Sequence, residues 1–474
     1  MATPIPTNRA RFTLPAIALA THGSILHRAG SSVDTFFGIT TDSRAVTPGS
    51  VFVALRGESH DGHGFVAKGV ANGASVVVVE KGRGLEIPEE ASIVEVVDTL
   101  VAWGELARAH LVGWRTEAVD GRVVAITGSA GKTTTKELTA ALLAEVGATH
   151  FTAGNLNNRI GVPAVVFALE KTHRFCVLEM GMSLPGELDA IVGFARPDVS
   201  VVVNVGVAHA EGVGGREGVM HEKGAVFRAL GPDGIAIANA DDPFVMRAVQ
   251  STRARRTETF GRGADAHYAL VARTPHDAGS MVVLSAAGRR LSLYCPLPGE
   301  AAAIDLCAAL AAQEAASRER LEVEQIERAL GRIRLEGRGT IRRLANDILL
   351  LDDTYNANPA SMRVALATLA ELAGTTRRKV AVLGEMKELG ALAEEEHAAL
   401  GDVIADAGVA LVIGCGGLVA LTLARAAARG VETVAAGTTA LAAEEAKARI
   451  MVGDVVLVKG SRGVGAEAVV AKIS

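Results

Sequence analysis

A chain of 474 residues has room for two to four domains of ordinary size, and three is the expected number. A formal charge of −5, with 2 Trp, 3 Tyr and 12 Phe in the whole chain, leaves no general basic surface and few stacking platforms, so nucleic acid is not an expected partner. Hydrophobic residues at 49% and charged residues at 21% argue against extended disorder, four scattered cysteines without a CxxC pair suit a reducing cytoplasm, and no apolar run approaches the roughly 20 residues of a membrane span.

Arg9 and Arg11 before the apolar residues 12–20 loosely imitate a signal peptide. The plainer reading is a first helix, with Thr13 as N-cap, Pro15 in the first turn and Gly23 near the stop. FFGITTDSRAVTPGSVFVAL then alternates strand-like runs around a Pro48-Gly49 turn, and ASVVVVE follows a helical GFVAKGVANG. Helical pattern resumes from Thr99 to about Val112, and the polar stretch 114–122 marks a boundary.

From Val123 to about Arg334, the β-rich runs VVAIT, FCVLEM, VSVVVNV and GIAIAN alternate with helical stretches, which implies a mostly parallel sheet with helices on its faces. Residues 255–299 read as β-hairpin material ahead of an alanine-rich helix and a charged one, residues 300–317 and 321–330. DILLLDD, RKVAVLG, VALVIG and DVVLVKG then outline a second doubly wound unit. The expected fold is therefore α/β in three domains: a small α/β domain over 1–114, a central P-loop parallel-sheet ATPase domain over 115–334, and a Rossmann-like domain over 335–474.

The sharpest chemical signal is VVAITGSAGKTTTKELTAALLAEVG. A buried strand ends at Thr127, the small-residue loop Gly128-Ser129-Ala130-Gly131 follows, and Lys132-Thr133 opens a helix. Such a loop lets backbone amides converge on phosphate oxygens; Lys132 reaches the β- and γ-phosphates, and the Thr133 or Thr134 hydroxyl coordinates Mg²⁺. The strict GxxxxGK[ST] spacing is not met, because Ile126 occupies its first position, and a structural glycine turn is the alternative.

Glu179 ends one apolar run and His209 follows another, so both are placed at the carboxyl edge of a parallel sheet, where this architecture binds ligands. Lys223 in VMHEKGAVF reads from spacing alone as a solvated helix lysine. Asn239 in GIAIANADDP could hydrogen-bond a base, with Asp242-Pro243 capping the next helix. Arg338 lies near the second boundary, suited to completing a phosphate site, and Asp352, Asp353, Tyr355 and Asn356 form a dense polar cluster after LLLDD.

Together these blocks resemble the Mur ligases, the ATP-dependent amide-bond-forming enzymes of peptidoglycan precursor synthesis. TDSRAVTPGSVFVALRGESHDGHGF is similar to the family's UDP-sugar-binding domain, TGSAGKTTTKE to its ATP loop, and NADD, GRG, DDTYNANP and VKGSRG to later blocks. GNLNN followed by IGVP, and GEMKELG with His397 beyond it, resemble the member that adds D-alanyl-D-alanine to UDP-N-acetylmuramoyl-tripeptide.

The resemblance implies ATP and Mg²⁺ as cofactors, held by Gly128, Ser129, Ala130, Gly131, Lys132, Thr133 and Thr134. It implies magnesium at Thr133, Glu179, His209 and a CO₂-carbamylated Lys223. Nucleotide contacts would come from Asn239, Arg338 and Asp353. UDP-substrate contacts would come from Ser43 and Arg44, and acceptor-side contacts from Asn157 and Asn158. Catalysis would rest on Lys132, Lys223, Arg338 and His209, through an acyl phosphate. A monomer is expected.

The chain departs from the family pattern at three points. Gly299-Glu300-Ala301-Ala302, with Asp305 later, stands where the family has GRHN and an Asn; Ala225 stands two positions after Lys223 where Glu is usual; Arg159 replaces an acidic residue after GNLNN. The rival readings are another ligase of similar plan, diamino-acid-adding or folylpolyglutamate synthase-like, and a nucleotide switch that hydrolyses without ligating.

Overall fold

The longest buried apolar runs of the chain become the inner strands of three sheets. The computed structural model describes residues 3–30, 35–57, 60–83, 89–206, 210–276 and 278–474. Among them the first sheet has five strands in the order Ser24–His27, Ser92–Val96, Val76–Glu80, Val51–Val53 and Ile39–Thr40, parallel except for the first. Thr13 caps the helix Leu14–Thr21 by accepting from the Ala16 amide, Pro15 stands in its first turn, and the chain leaves it through left-handed His22 into Gly23. That helix packs on the helix Thr99–Glu117.

The central sheet has nine strands. Its middle is Phe175–Glu179, Arg122–Thr127, Val199–Val202 and Ile235–Asn239, all parallel, and every residue of VVAIT and FCVLE is buried. Strands buried on both faces read as continuous apolar runs rather than alternating ones, which is why these segments were legible. Tyr268–His276, Gly279–Ala286 and Arg289–Cys295 extend one edge as an antiparallel meander, the hairpin material of residues 255–299. The helix Glu300–Ser317 covers one face of the sheet, and its alanines let it approach the phosphate-loop helix Lys132–Ala144 closely.

The third sheet has six strands in the order Thr340–Arg343, Leu349–Asp353, Val455–Lys459, Lys379–Gly384, Leu411–Cys415 and Glu432–Ala435, parallel except for the first. Apolar clusters fill both of its faces, as in a doubly wound unit.

One expectation about the first boundary meets a packing fact. The helix from Thr99 does not stop near Val112 but runs to Glu117, through the position between residues 114 and 115. Trp114 is buried and its indole N–H donates to the His173 carbonyl, while Trp103 donates to the Ile160 carbonyl. Burying two indoles against the central sheet's helices outweighs the polar composition of the helix end. A single apolar cluster consequently runs from Phe12 and Val51 to Val202 and Ala238, joining the first sheet's inner face to the central sheet.

Candidate active site

Three neighbouring strands of the central sheet end at one place. The register sets Glu179 beside Ile126 and Val202 beside Thr127, so the loop after Thr127, the Glu179 carboxylate and the chain after Val202 meet at the carboxyl edge. Gly131 closes the loop at φ +80°, and a Cβ there would come within 2.8 Å of Asp305 Oδ1 and 3.1 Å of Val203 Cγ1, so only glycine fits. Lys132–Ala144 then starts as a helix whose first amides have no intrahelical acceptor, a ready anion site.

The loop is braced by Asn204. Its Oδ1 accepts from the Ser129 and Ala130 amides at 3.0 and 2.9 Å, and its Nδ2 donates to the Ala130 carbonyl at 3.0 Å. A cavity of about 620 Å³ opens in front, walled by the phosphate loop, Glu179, Asn157, Asn158 and Lys223 on one side and by Arg338, Asp353 and Tyr355 on the other.

Two lysines converge on one acceptor. Lys132 Nζ donates to the Gly128 carbonyl at 2.7 Å and Lys223 Nζ to the same oxygen at 3.1 Å. Burial pushes the Lys132 amine below its ordinary range; Glu179 opposes the shift and Arg338 adds to it. Lys223 is pushed well below its ordinary value, first by burial and then by the neighbouring Lys132. It is 2% exposed, so the solvated surface lysine suggested by spacing is a buried amine in the site.

Glu179, itself buried, is held from both sides. Thr133 Oγ1 donates to its Oε2 at 2.7 Å and Asn157 Nδ2 to its Oε1 at 2.8 Å, while its own amide donates to Thr152 Oγ1. A hydroxyl and a carboxylate in contact are hard oxygen donors of the kind Mg²⁺ takes when it shares its shell with phosphates and water, so these residues fit that ion. His209 lies outside the described residues. Asn158 uses its Oδ1 to accept from the Ile160 and Gly161 amides, which starts the helix Gly161–Phe167.

Across the cavity, Arg338 lies with its guanidinium 3.7 Å from the Tyr355 ring centroid, and Arg462 lies 5.3 Å from the same ring. Asp353 meets Lys459 Nζ at 2.5 Å, and that ammonium also donates to the Asn356 carbonyl at 2.8 Å. Asn358, which caps the helix Pro359–Ala373, reaches over to the Ser129 carbonyl at 3.4 Å. The third sheet therefore touches the phosphate loop itself.

Other expected residues stand elsewhere. Asn239 ends its strand with Nδ2 on the Val203 carbonyl and Oδ1 on the Asp241 amide, and it does not line the cavity. Asp242 caps the following helix, as its position before Pro243 suggested. Ser43 is buried beside the first sheet, where its carbonyl accepts from Asn72, and Arg44 is exposed and paired with Asp42 at 2.7 Å; neither reaches this cavity.

Residue-by-residue reading missed Asn204, Asn358 and the role of Lys459. Asn204 and Lys459 carried the same signal that marked Glu179, a polar group at the end of a buried apolar run.

Family models match along most of the chain: "Mur ligase family, catalytic domain" over residues 35–111, "Mur ligase middle domain" over 126–313, and "Mur ligase, glutamate ligase domain" over 337–462. The UDP-N-acetylmuramoyl-tripeptide--D-alanyl-D-alanine ligase of Escherichia coli (strain K12) is 36% identical over 443 residues, 92% of this chain and 93% of that protein. A crystal structure of MurF from Acinetobacter baumannii superposes with a TM-score of 0.86 at 30% identity, covering 99% of both chains. The MurF ligase of Thermotoga maritima in complex with ADP gives a TM-score of 0.79 at 28% identity, over 92% of this chain and 96% of that one. On these matches and this architecture, the chain belongs to the Mur ligase family.

Proposed function

We propose that this chain is an ATP-dependent ligase that joins D-alanyl-D-alanine to the terminal carboxylate of UDP-N-acetylmuramoyl-tripeptide, in peptidoglycan precursor synthesis. The observation that carries the reading is the cavity between the phosphate loop and the third sheet, where Lys132, Lys223, Glu179 and Thr133 face Arg338 and Asp353. The E. coli relative, matched over 92% of this chain, supports the choice of substrates by its name.

A carboxylate and an amine do not condense usefully in water, so the carboxylate is first activated. The tripeptide carboxylate attacks the γ-phosphorus of ATP, ADP leaves, and an acyl phosphate forms. Lys132 leaves the Gly128 carbonyl for the phosphates, and with Arg338 it stabilises the charge that builds up on the transferring group. Thr133 and Glu179 would hold Mg²⁺, which would supply further neutralisation of the phosphate oxygens. The dipeptide amine then attacks the acyl carbon, and inorganic phosphate leaves from the tetrahedral intermediate. Enclosure between two sheets keeps water from the acyl phosphate.

Lys223 has the properties of a carbamylation site. Burial and the neighbouring Lys132 favour the neutral form of this amine, and a neutral amine adds to CO₂ with loss of one proton, giving a carboxylate-like anion. In that form it would add an oxygen ligand to those of Thr133 and Glu179. His209 joins this set in the same reading, and Asn239 turns to the nucleotide when it binds. Ser43 and Arg44 take the UDP-sugar, with Asn157 and Asn158 beside the acceptor. The domains are those outlined at 1–114, 115–334 and 335–474, with the helix Thr99–Glu117 carrying the first across its boundary, the enzyme works in the cytoplasm as a monomer, and the third sheet's domain closes on ATP.

The test is phosphate release with ATP, Mg²⁺ and UDP-N-acetylmuramoyl-tripeptide, with and without D-alanyl-D-alanine, with the product read by mass spectrometry. Amide product that requires the dipeptide supports the reading. Phosphate release without amide overturns it in favour of a different acceptor or a nucleotide switch.

A further inference from the structure

The helix Glu300–Ser317 brings one acidic side chain into the cavity wall, Asp305. It is 6% exposed, and its two carboxyl oxygens would lie 2.8 and 3.0 Å from a Cβ on Gly131, so they sit directly over the phosphate loop. Among the described residues no Lys, Arg or His pairs with it: Lys132 and Lys223 both donate to the Gly128 carbonyl instead. An ionised carboxylate at this spot would face a bound triphosphate without an ion-pair partner of its own, an arrangement that costs binding twice, through desolvation and through like-charge repulsion.

We propose that Asp305 is a nucleotide-contacting residue that acts as a neutral carboxylic acid, donating its hydrogen to an oxygen of the bound nucleoside triphosphate. In that form it offers one donor and one acceptor, as an amide does, and adds no charge beside the phosphates.

The surroundings support the neutral form. Burial raises the Asp305 pKa well above the ordinary carboxylate range, and the Thr135 hydroxyl, one turn into the phosphate-loop helix, offsets part of that. From the same helix Lys132 also borders the cavity. Cys307 on the acid's own helix and Cys295 on the adjoining meander are raised first by burial, Cys295 to about 11, and bring no charge to the acid as thiols. Asp241, after the strand Ile235–Asn239, is engaged by the Arg262 and Gly263 amides, and Glu300 at the helix start is paired with Arg262. At the far end of the helix Glu314 is bonded to Tyr268 and Arg289.

The sign of the pH dependence follows. Nucleotide favours the protonated acid, so affinity is greatest below the pKa of Asp305 in the free protein and falls as pH rises through it, by at most about tenfold per pH unit for one coupled proton. Lys132 titrates in the same direction, which makes the comparison with a variant the informative quantity.

The experiment measures ADP and ATP dissociation constants by calorimetry from about pH 6 to about pH 9 on the full chain, wild type beside Asp305→Asn, Asp305→Ser and Asp305→Ala. Asp305→Asn is expected to keep the affinity the wild type has at acid pH and to lose much of the slope. Asp305→Ala is expected to bind about tenfold more weakly across the range, in line with loss of one hydrogen bond to a charged group. Asp305→Ser, also uncharged, reports the slope if the amide perturbs the helix. Equal slopes in wild type and both uncharged polar variants would overturn the proposal, as would wild-type affinity in Asp305→Ala. The inference rests on the cavity being a nucleotide site; a wild type that binds neither nucleotide removes that reading, whereas binding with an unchanged slope removes Asp305 alone.

Discussion

The two sides of the cavity use buried lysines in opposite ways. On the central side, Lys132 and Lys223 share a backbone carbonyl and have no hydrogen-bonded carboxylate among the described residues, and both amines are shifted towards the neutral form. On the third sheet's side, Lys459 ends its strand in register with Asp353, pairs with it, and also holds the Asn356 carbonyl. A lysine beside a carbonyl alone is ready to be claimed by phosphate or CO₂, whereas a lysine with its own carboxylate is already satisfied and holds a loop in place. All three lysines line the same cavity; the partner decides whether the cation is chemical or structural.

This contrast can be broken most directly at Lys132. Lys132→Ala should lower ATP turnover by about 10²- to 10³-fold, the scale of losing a positioned charge at a transition state, while leaving thermal unfolding near the wild-type temperature. Wild-type turnover in a folded variant would remove its assigned role. Lys223→Ala should lose amide formation by about 10²-fold, and short carboxylates such as acetate or formate should restore part of it, because they can stand where the carbamate would; a variant that ligates normally in CO₂-depleted buffer would end that assignment.

Lys459→Ala tests the structural half. It leaves Asp353 without its cation and should cost about 3 kcal/mol in urea unfolding, a stability loss that Lys132→Ala does not share. If the two variants were equally stable, the division drawn between the two sides would not hold. A smaller effect is expected at Arg273, which reaches from the meander to Glu371 on the helix Pro359–Ala373 with Nη1 to Oε1 at 2.8 Å. Arg273→Ala should raise the KM for ATP about two- to fivefold through looser docking of the third sheet, the scale of a partly exposed ion pair, with little change in the unfolding of either unit.

The smallest effect concerns His110, on the helix that joins the first and central sheets. Burial lowers its pKa, and its Nε2 meets the Leu169 carbonyl at 3.1 Å. A histidine whose folded pKa is depressed contributes stability that is present above the unfolded value of about 6.5 and is lost as pH falls towards the folded one. The melting temperature of the wild type should therefore drop between about pH 6.5 and about pH 5, and His110→Gln should show a shallower decline. Parallel declines would assign the acid sensitivity to other groups.

How much was legible depended on the kind of interaction involved. The strand ends that carry Thr127, Glu179 and Asp353 could be read because fully buried strands are unbroken apolar runs, and a polar residue closing one stands out. The end of the helix Thr99–Glu117 could not, because the signal is Trp114 finding a carbonyl 59 residues away. Lys223 looked ordinary for the same reason: helix periodicity describes a residue's own turn and carries nothing about the Gly128 carbonyl, 95 residues earlier, that faces it. Asn239 shows the converse, a polar strand end whose hydrogen bonds are taken up by its own neighbourhood.

Local chemistry along the chain was enough to determine the α/β class, the phosphate loop and the motifs that mark the family, because periodicity and turn residues act over a few positions. The tertiary structure alone decided that two lysines share one carbonyl while a third is neutralised, that Asn204 braces the loop, and that Asp305 lies over Gly131 with no cation partner among the described residues. Each of those outcomes is set by which distant groups come within hydrogen-bonding or Coulombic reach, and that distance is fixed only when the sheets have packed.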